Sequence, residues 1–219
     1  MAQKLIITIV SDTESWINKY IPLLENQLIK DNHLVKKIHD VELIAEGDIV
    51  FYLSCSQIVS TQILSKNKHN LVVHESSLPA GRGWSPLTWQ IVEGKNEIPI
   101  VLFEATEKVD SGKIYLKDLL KFKGTELVNE LREQQARKSI ELCCLFVHNY
   151  PEIIARGKEQ KGGASYYRRR TPKDSEIDPS KSIQDQFNLL RIVDNERYPA
   201  FFDIKGERYY IKISKSKHE

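Results

Sequence analysis

Cysteine is scarce. Three occur in 219 residues, Cys55 alone and Cys143 and Cys144 side by side in a helical pattern. That set supplies neither a disulfide framework nor the spacing of a zinc site. They read as reduced, structural thiols, and no metal site is expected. No apolar run approaches the roughly 18 residues of a membrane-crossing helix. The opening MAQKLIITIVSDTE enters a strand-like stretch without a basic leader or a small-residue cleavage site. The expectation is a soluble, cytoplasmic protein with no membrane partner. An excess of charge is missing too, since 32 basic residues face 30 acidic ones for a net +2. That balance argues against a general nucleic-acid binder, so any anionic ligand must meet local positive charge. No internal repeat or low-complexity tract breaks the chain.

What is present alternates. Leu5 to Val10 is an unbroken apolar, β-branched run, the pattern of a strand buried on both faces. Apolar positions from Trp16 to Ile29 recur at three- and four-residue steps and predict a helix. Further strands are predicted at Leu34 to Ile38, Ile49 to Leu53, Asn70 to His74, Ile98 to Glu104 and Ile114 to Phe122. Helices are predicted near Ser60 to Leu64 and from Pro86 through Glu93, where proline suits a first turn. Strands alternating with helices imply an α/β, Rossmann-like fold: a mostly parallel open sheet with helices on both faces. Ligands of such sheets bind beyond the carboxyl ends of the strands. A long helix is expected over Thr125 to His148. A loop-like stretch, Lys158 to Ser182, follows it and holds the densest basic cluster, Arg168, Arg169 and Arg170. A helix around Ile183 to Ile192 and a hairpin about Lys205-Gly206 would make a small C-terminal subdomain. The division is therefore 1–160, a catalytic domain, and 161–219, the subdomain of loop, helix and β-hairpin.

Chemistry concentrates in three places. In Val72-Val73-His74-Glu75-Ser76-Ser77-Leu78-Pro79 a histidine ends a buried strand, and Gly81-Arg82-Gly83-Trp84-Ser85-Pro86 then makes a glycine-rich turn. A lone histidine is more often structural than catalytic. This stretch, however, resembles the signature of the formyltransferase family that includes methionyl-tRNA and glycinamide-ribonucleotide formyltransferases. There a strand ends Asn-x-His-x-Ser-x-Leu-Pro and leads into Arg-Gly-x-x-Pro. His74, Ser76, Leu78, Pro79, Arg82, Gly83 and Pro86 carry the match, which continues through Trp89, Gln90 and Gly94. Asp110-Ser111-Gly112-Lys113-Ile114 is similar to the family's Asp-x-Gly-x-Ile turn, although an Asp-x-Gly alone is usually an ordinary turn. The third place, Arg168 to Asp174 with Leu190-Arg191, Tyr198 to Phe202 and Gly206-Glu207, is similar to the C-terminal region of members acting on sugar nucleotides and on methionyl-tRNA. The resemblance covers roughly residues 45 to 120 and 165 to 213.

The resemblance implies formyl transfer from 10-formyltetrahydrofolate to an amine. It implies His74 as the base near neutrality and Asp110 as the carboxylate that orients it. For the folate it implies a pterin meeting backbone groups of the glycine-rich turn and of the strand and loop leading to Asp110, at Gly83, Trp84, Leu102, Phe103 and Val109. One departure stands out: the family's asparagine two residues before the histidine is Val72 here, and the nearest asparagine, Asn70, stands two residues further back along the strand. For the acceptor, Arg168, Arg169 and Arg170 could pair with phosphates and Tyr166 or Tyr167 cover a base or sugar. A solvated loop is the equal alternative for that cluster. Ser11, Ser56 and Gln57 follow strands and are candidate sugar contacts. Within the family the chain resembles short sugar-nucleotide N-formyltransferases, including those on pseudaminic-acid-type routes to surface polysaccharide. The expected acceptor is then a nucleotide-linked 4-amino-4,6-dideoxy sugar, UDP favoured over dTDP. A glycinamide-ribonucleotide-type enzyme and a non-catalytic folate-binding module are the alternatives. A homodimer is compatible with the sequence but not derivable from it.

Overall fold

The computed structural model describes residues 3–216. Strand β1 (Ile6–Val10) leads through a 3-10 turn at Trp16–Lys19 into α1 (Ile21–Lys30). Then come β2 (Leu34–Ile38), β3 (Gly47–Tyr52), α2 (Thr61–Leu64), β4 (Asn67–His74), the short β5 (Arg82–Gly83) and α3 (Pro86–Val92). After these follow β6 (Glu97–Glu104), β7 (Ile114–Lys121), α4 (Val128–His148), β8 (Tyr166–Tyr167), α5 (Phe187–Leu190), β9 (Ala200–Ile204) and β10 (Glu207–Ile211).

Six strands form one open sheet in the order β2-β1-β3-β4-β6-β7. The first four pair in parallel, while β6 runs antiparallel to both β4 and β7. Only β6 is reversed, because the loop 105–113 that joins it to β7 is too short for a crossover helix. One face buries Ile7, Phe51 and Leu71 under Leu24 of α1, Ile91 of α3 and Phe146 of α4. The other buries Val10, Val50 and Tyr52 under Val41, Ile44 and Ile63 of α2. Burial on both sides is why the central strands read as unbroken apolar runs. The fold is α/β and Rossmann-like, with helices on both faces.

Several elements differ from expectation for local reasons. The helix predicted from Trp16 to Ile29 is broken at Tyr20, because Pro22 has no N–H and would clash with the carbonyl four residues back unless it sat in a first turn. The long helix starts at Val128, after the Glu126 carboxylate has accepted from the amides of Lys123 and Gly124. The helix expected over Ile183 to Ile192 shrinks to α5, since the Gln186 side chain bonds both the amide and the carbonyl of Asp178 and so builds a loop instead. Within the 161–219 stretch, β8 pairs with β5 and Ile192 joins the large core. Arg191, fully buried, meets Glu126 and Asn96.

Candidate active site

Beyond His74 the chain folds back over the sheet, Leu78 packing on Val101, Phe103 and Ile114. The His74 side chain is buried, its ring edge-on to Phe103 at 6.4 Å and its Nε2 2.8 Å from the carbonyl oxygen of Gly81. A carbonyl can only accept, so Nε2 carries a proton, and in the neutral ring the lone pair lies on Nδ1. Among the described residues Nδ1 has no protein partner.

Asp110 lies in the loop between β6 and β7, at φ +52°. Left-handed backbone is uncommon for a residue other than glycine, although Asp tolerates it better than most. Its Oδ2 accepts from the Gly83 amide at 2.8 Å. Gln160 secures the loop from above. Its Nε2 donates to the carbonyls of Asp110 (2.9 Å) and Gly112 (3.0 Å), and its Oε1 accepts from Arg82 Nη2 at 2.7 Å. On its other side the glycine-rich turn is bound to β8: the Arg82 amide donates to Ser165 and the Trp84 amide to Tyr167. A Cβ on Gly83 would stand 2.4 Å from the Tyr167 carbonyl oxygen, so only glycine fits that approach.

The expected contact between Asp110 and His74 is therefore not direct. Asp110 spends Oδ2 on Gly83, and Gly81 holds the imidazole, so the two side chains are linked through one three-residue turn. Val72 packs among the apolar side chains beneath that turn. Asn70 is engaged elsewhere, its side chain accepting from the Tyr52 hydroxyl and donating to the Leu64 carbonyl. No asparagine takes the family's place beside His74.

Of the residues expected for folate, Trp84 and Val109 are 39% and 60% exposed and flank the Gly83–Asp110 bond. Exposed apolar surface around a polar edge fits a flat pterin. Leu102 and Phe103 are 0% and 1% exposed inside β6, one in each core, so the contact expected of them falls to their backbone groups and not to their side chains.

The expected acceptor residues divide as well. Ser11 is fully buried and donates to Asn18 Oδ1 at 2.6 Å, so its hydroxyl faces protein. Asp12 accepts from the Ser56 amide and from Gln57 Nε2. Burial opposes ionisation of Asp12, but the bonds from Ser56 and Gln57 prevail and hold its carboxyl below the usual range. Gln57 also bonds His39 and Val41, which leaves it tying loops together. Arg168 is paired with the Asp174 carboxylate, and Arg170 donates to the Asp174 carbonyl. Both guanidinium groups lie over Trp89. Arg169 alone of the three has a guanidinium with no hydrogen-bond partner among the described residues, and it lies 4.8 Å over Trp84. Tyr166 is exposed, whereas Tyr167 stacks on Trp89 and donates to Glu93.

The loops after β1 and β3, where sugar contacts were expected, open onto a cleft of about 290 Å³ lined by Asp12 and Ser54 together with Glu14, Ser15, Trp16 and Arg197, which sequence reasoning did not single out for it. It opens at the carboxyl ends of β1 and β3, the point where the strand order reverses. Trp16 carried only a core-periodicity signal, and Arg197 and Gln160 carried none. Among the described residues no group of histidine, cysteine and carboxylate side chains could hold a metal ion, and no helix is long and apolar enough to cross a membrane.

Comparison with known proteins adds independent findings. A family model described as formyl transferase matches residues 11–143. A methionyl-tRNA formyltransferase from Thermodesulfovibrio yellowstonii is 25% identical over 200 residues, 90% of this chain and 62% of that protein. The chain thus spans about three fifths of that relative's length. The structure of a methionyl-tRNA formyltransferase from Clostridium thermocellum superposes with a TM-score of 0.78 at 22% identity, covering 97% of this chain and 94% of the other. A 4-N formyltransferase from Francisella tularensis gives 0.74 at 17% identity, covering 98% and 99%. HypX from Aquifex aeolicus, solved with tetrahydrofolic acid, gives 0.74 at 16% identity, over 94% of this chain and 37% of that one.

Proposed function

The chain belongs to the formyl transferase family, and on that premise we propose that it formylates the amine of a nucleotide-linked 4-amino-4,6-dideoxy sugar. The one-carbon donor is 10-formyltetrahydrofolate, the family's cofactor. Bound at Trp84 and Val109, it supplies an electrophilic formyl carbon and a folate nitrogen as leaving group. The observation that carries the reading is the buried His74 ring, held through Nε2 so that Nδ1 keeps its lone pair. With the formyl donor bound at Trp84 and Val109, Nδ1 of His74 would be the group placed to take the proton that the attacking amine sheds and to return it to the folate nitrogen that leaves. Proton and charge balance across the step. Asp110, in the β6–β7 loop, braces the turn that holds His74 through its bond from the Gly83 amide. Its Oδ1, without a partner among the described residues, is left to accept from the amine.

Support for a nucleotide-sugar acceptor comes from the cleft at β1 and β3. There Trp16 offers an aromatic face and Arg197 a guanidinium for a phosphate, while Arg169, over Trp84, is the cation of the basic segment left without a hydrogen-bond partner among the described residues. A UDP-linked sugar is favoured over a dTDP-linked one. The methionyl-tRNA reading is kept in view by two relatives, against a net charge of only +2. The test offers 10-formyltetrahydrofolate with UDP- and dTDP-linked 4-amino sugars, glycinamide ribonucleotide and methionyl-tRNA, and reads the gain of one formyl by mass. Formylation of a sugar alone is expected. Formylation of the tRNA or the ribonucleotide in its place would sink the proposal, and folate binding without transfer to any acceptor would mark a non-catalytic module.

A further inference from the structure

Behind the turn that holds His74 lies a second cleft, of about 360 Å³. Its lining includes none of His74, Asp110, Trp84 or Arg169. We propose that it binds a neutral, hydroxylated ring, a sugar or cyclitol, at a site separate from the formyl-transfer centre.

The floor points to a ligand. Ser76 is 2% exposed, and its Oγ has no hydrogen-bond partner. A buried hydroxyl left unpaired is destabilising, a cost that a ligand oxygen entering the cleft would recover. Beside it, Ser165 Oγ accepts from the Gly81 amide at 2.9 Å, so its own proton is available to donate into the cleft. Gly81 keeps the floor open. A Cβ there would stand 2.8 Å from Ser76 Cβ and 3.1 Å from Tyr167 Cε2.

Charge selects the ligand class. The rim cation, Lys95, is already paired with Glu93 at 2.7 Å, and Glu97 on the same rim is paired with Lys121 at 3.8 Å. The local balance is neutral with no cation left over, which disfavours a phosphate or a carboxylate. Apolar surface is supplied by Pro99 and by Tyr167, whose ring is fixed by stacking on Trp89 and by its bond to Glu93. Apolar walls with hydroxyl donors at the base suit a ring that has CH faces and OH edges. The volume lies within the range of roughly 300–1,000 Å³ common for small-molecule sites. Because the Gly81 amide is held from this cleft while its carbonyl holds His74, occupancy here also reaches the imidazole.

The experiment titrates isotope-labelled protein with D-glucose, N-acetyl-D-glucosamine and myo-inositol, each against inorganic phosphate and acetate, and follows the amide signals of Ser76, Gly81 and Ser165. Saturable shifts with at least one neutral ring are expected, and none with the anions. Binding should weaken at least several-fold in Ser76→Ala. It should vanish in Ala80→Trp, which places an indole in the mouth from an exposed position and so tests the site even if the serine variant folds poorly. Absence of saturable shifts with all three rings would overturn the proposal, as would equal binding of the anions or unchanged binding in Ala80→Trp. No folate or amine acceptor is present, so failure here leaves the formyl-transfer reading standing.

Discussion

His74 is committed to a single geometry by one bond, Nε2–H to the Gly81 carbonyl, and its chemistry follows from what that bond leaves over. His74→Asn should lower kcat by about 10²–10⁴ with an unchanged melting temperature, the loss expected for one proton acceptor. Full activity in that variant would remove the base assignment. Among the arginines, Arg169→Ala should weaken nucleotide-sugar affinity by about 1.5–3 kcal/mol, as for a lost charged hydrogen bond. Arg168→Ala and Arg170→Ala should instead lower thermal stability, because their groups are engaged with Asp174. Titration calorimetry beside thermal melting separates the two outcomes. Glu75 is a residue the motif did not explain. Burial pushes its carboxyl pKa up, against the pull of the His74 charge and of bonds from Gln135 and its own amide. A carboxyl whose folded pKa is raised gives stability that is complete below the unfolded value and is lost as pH rises through the folded one. Glu75→Gln, neutral throughout, should therefore gain melting temperature relative to the parent as pH rises from the ordinary carboxylate range upward. A constant difference across that range would show that Glu75 does not titrate there.

At the scale of elements, the site is a turn clamped from two sides. β5 and β8 pair edge to edge, Asp110 caps Gly83, and Gln160 bridges the Asp110 loop to Arg82. Gln160→Ala removes the two donors that hold the loop and leaves Arg82 Nη2 without its oxygen. The expected cost is about 1–3 kcal/mol of stability, together with a fall in kcat that leaves nucleotide-sugar affinity unchanged, since Gln160 touches neither Arg169 nor the Trp16 cleft. Denaturant unfolding and steady-state kinetics on the same preparation check both parts. Gln160 was invisible in the sequence because it lies in a polar, aperiodic stretch. The break in the first helix went unread as well, because the apolar periodicity from Trp16 to Ile29 runs through Pro22, the one residue whose chemistry signals it.

For the whole molecule, the question is whether residues 161–219 stand apart. Arg191 of the C-terminal stretch is fully buried, with Glu126 and Asn96 of the larger part as partners, and the neighbouring Ile192 completes the large core. Arg191→Ala would leave Glu126 buried without its cation, a loss of about 3–5 kcal/mol. Urea unfolding followed by fluorescence and by circular dichroism should show one coincident transition, displaced to lower urea in the variant. Two separate transitions in the parent protein would show that the C-terminal residues fold independently.

The sequence alone determined the kinds of elements, the sheet class and the histidine, glycine and aspartate motifs, because periodicity, proline placement and turn chemistry act within a few residues of one another. Only the tertiary structure decided which partner each motif residue meets. Gly81 rather than Asp110 holds the imidazole, Gln160 holds the Asp110 loop from 50 residues away, and two of three adjacent arginines are taken up by Asp174. It also brought Arg197 beside Trp16 and turned the Ser11 hydroxyl onto Asn18. Such pairings depend on how distant segments stack and on which polar groups remain unsatisfied once they do, and no local pattern encodes that.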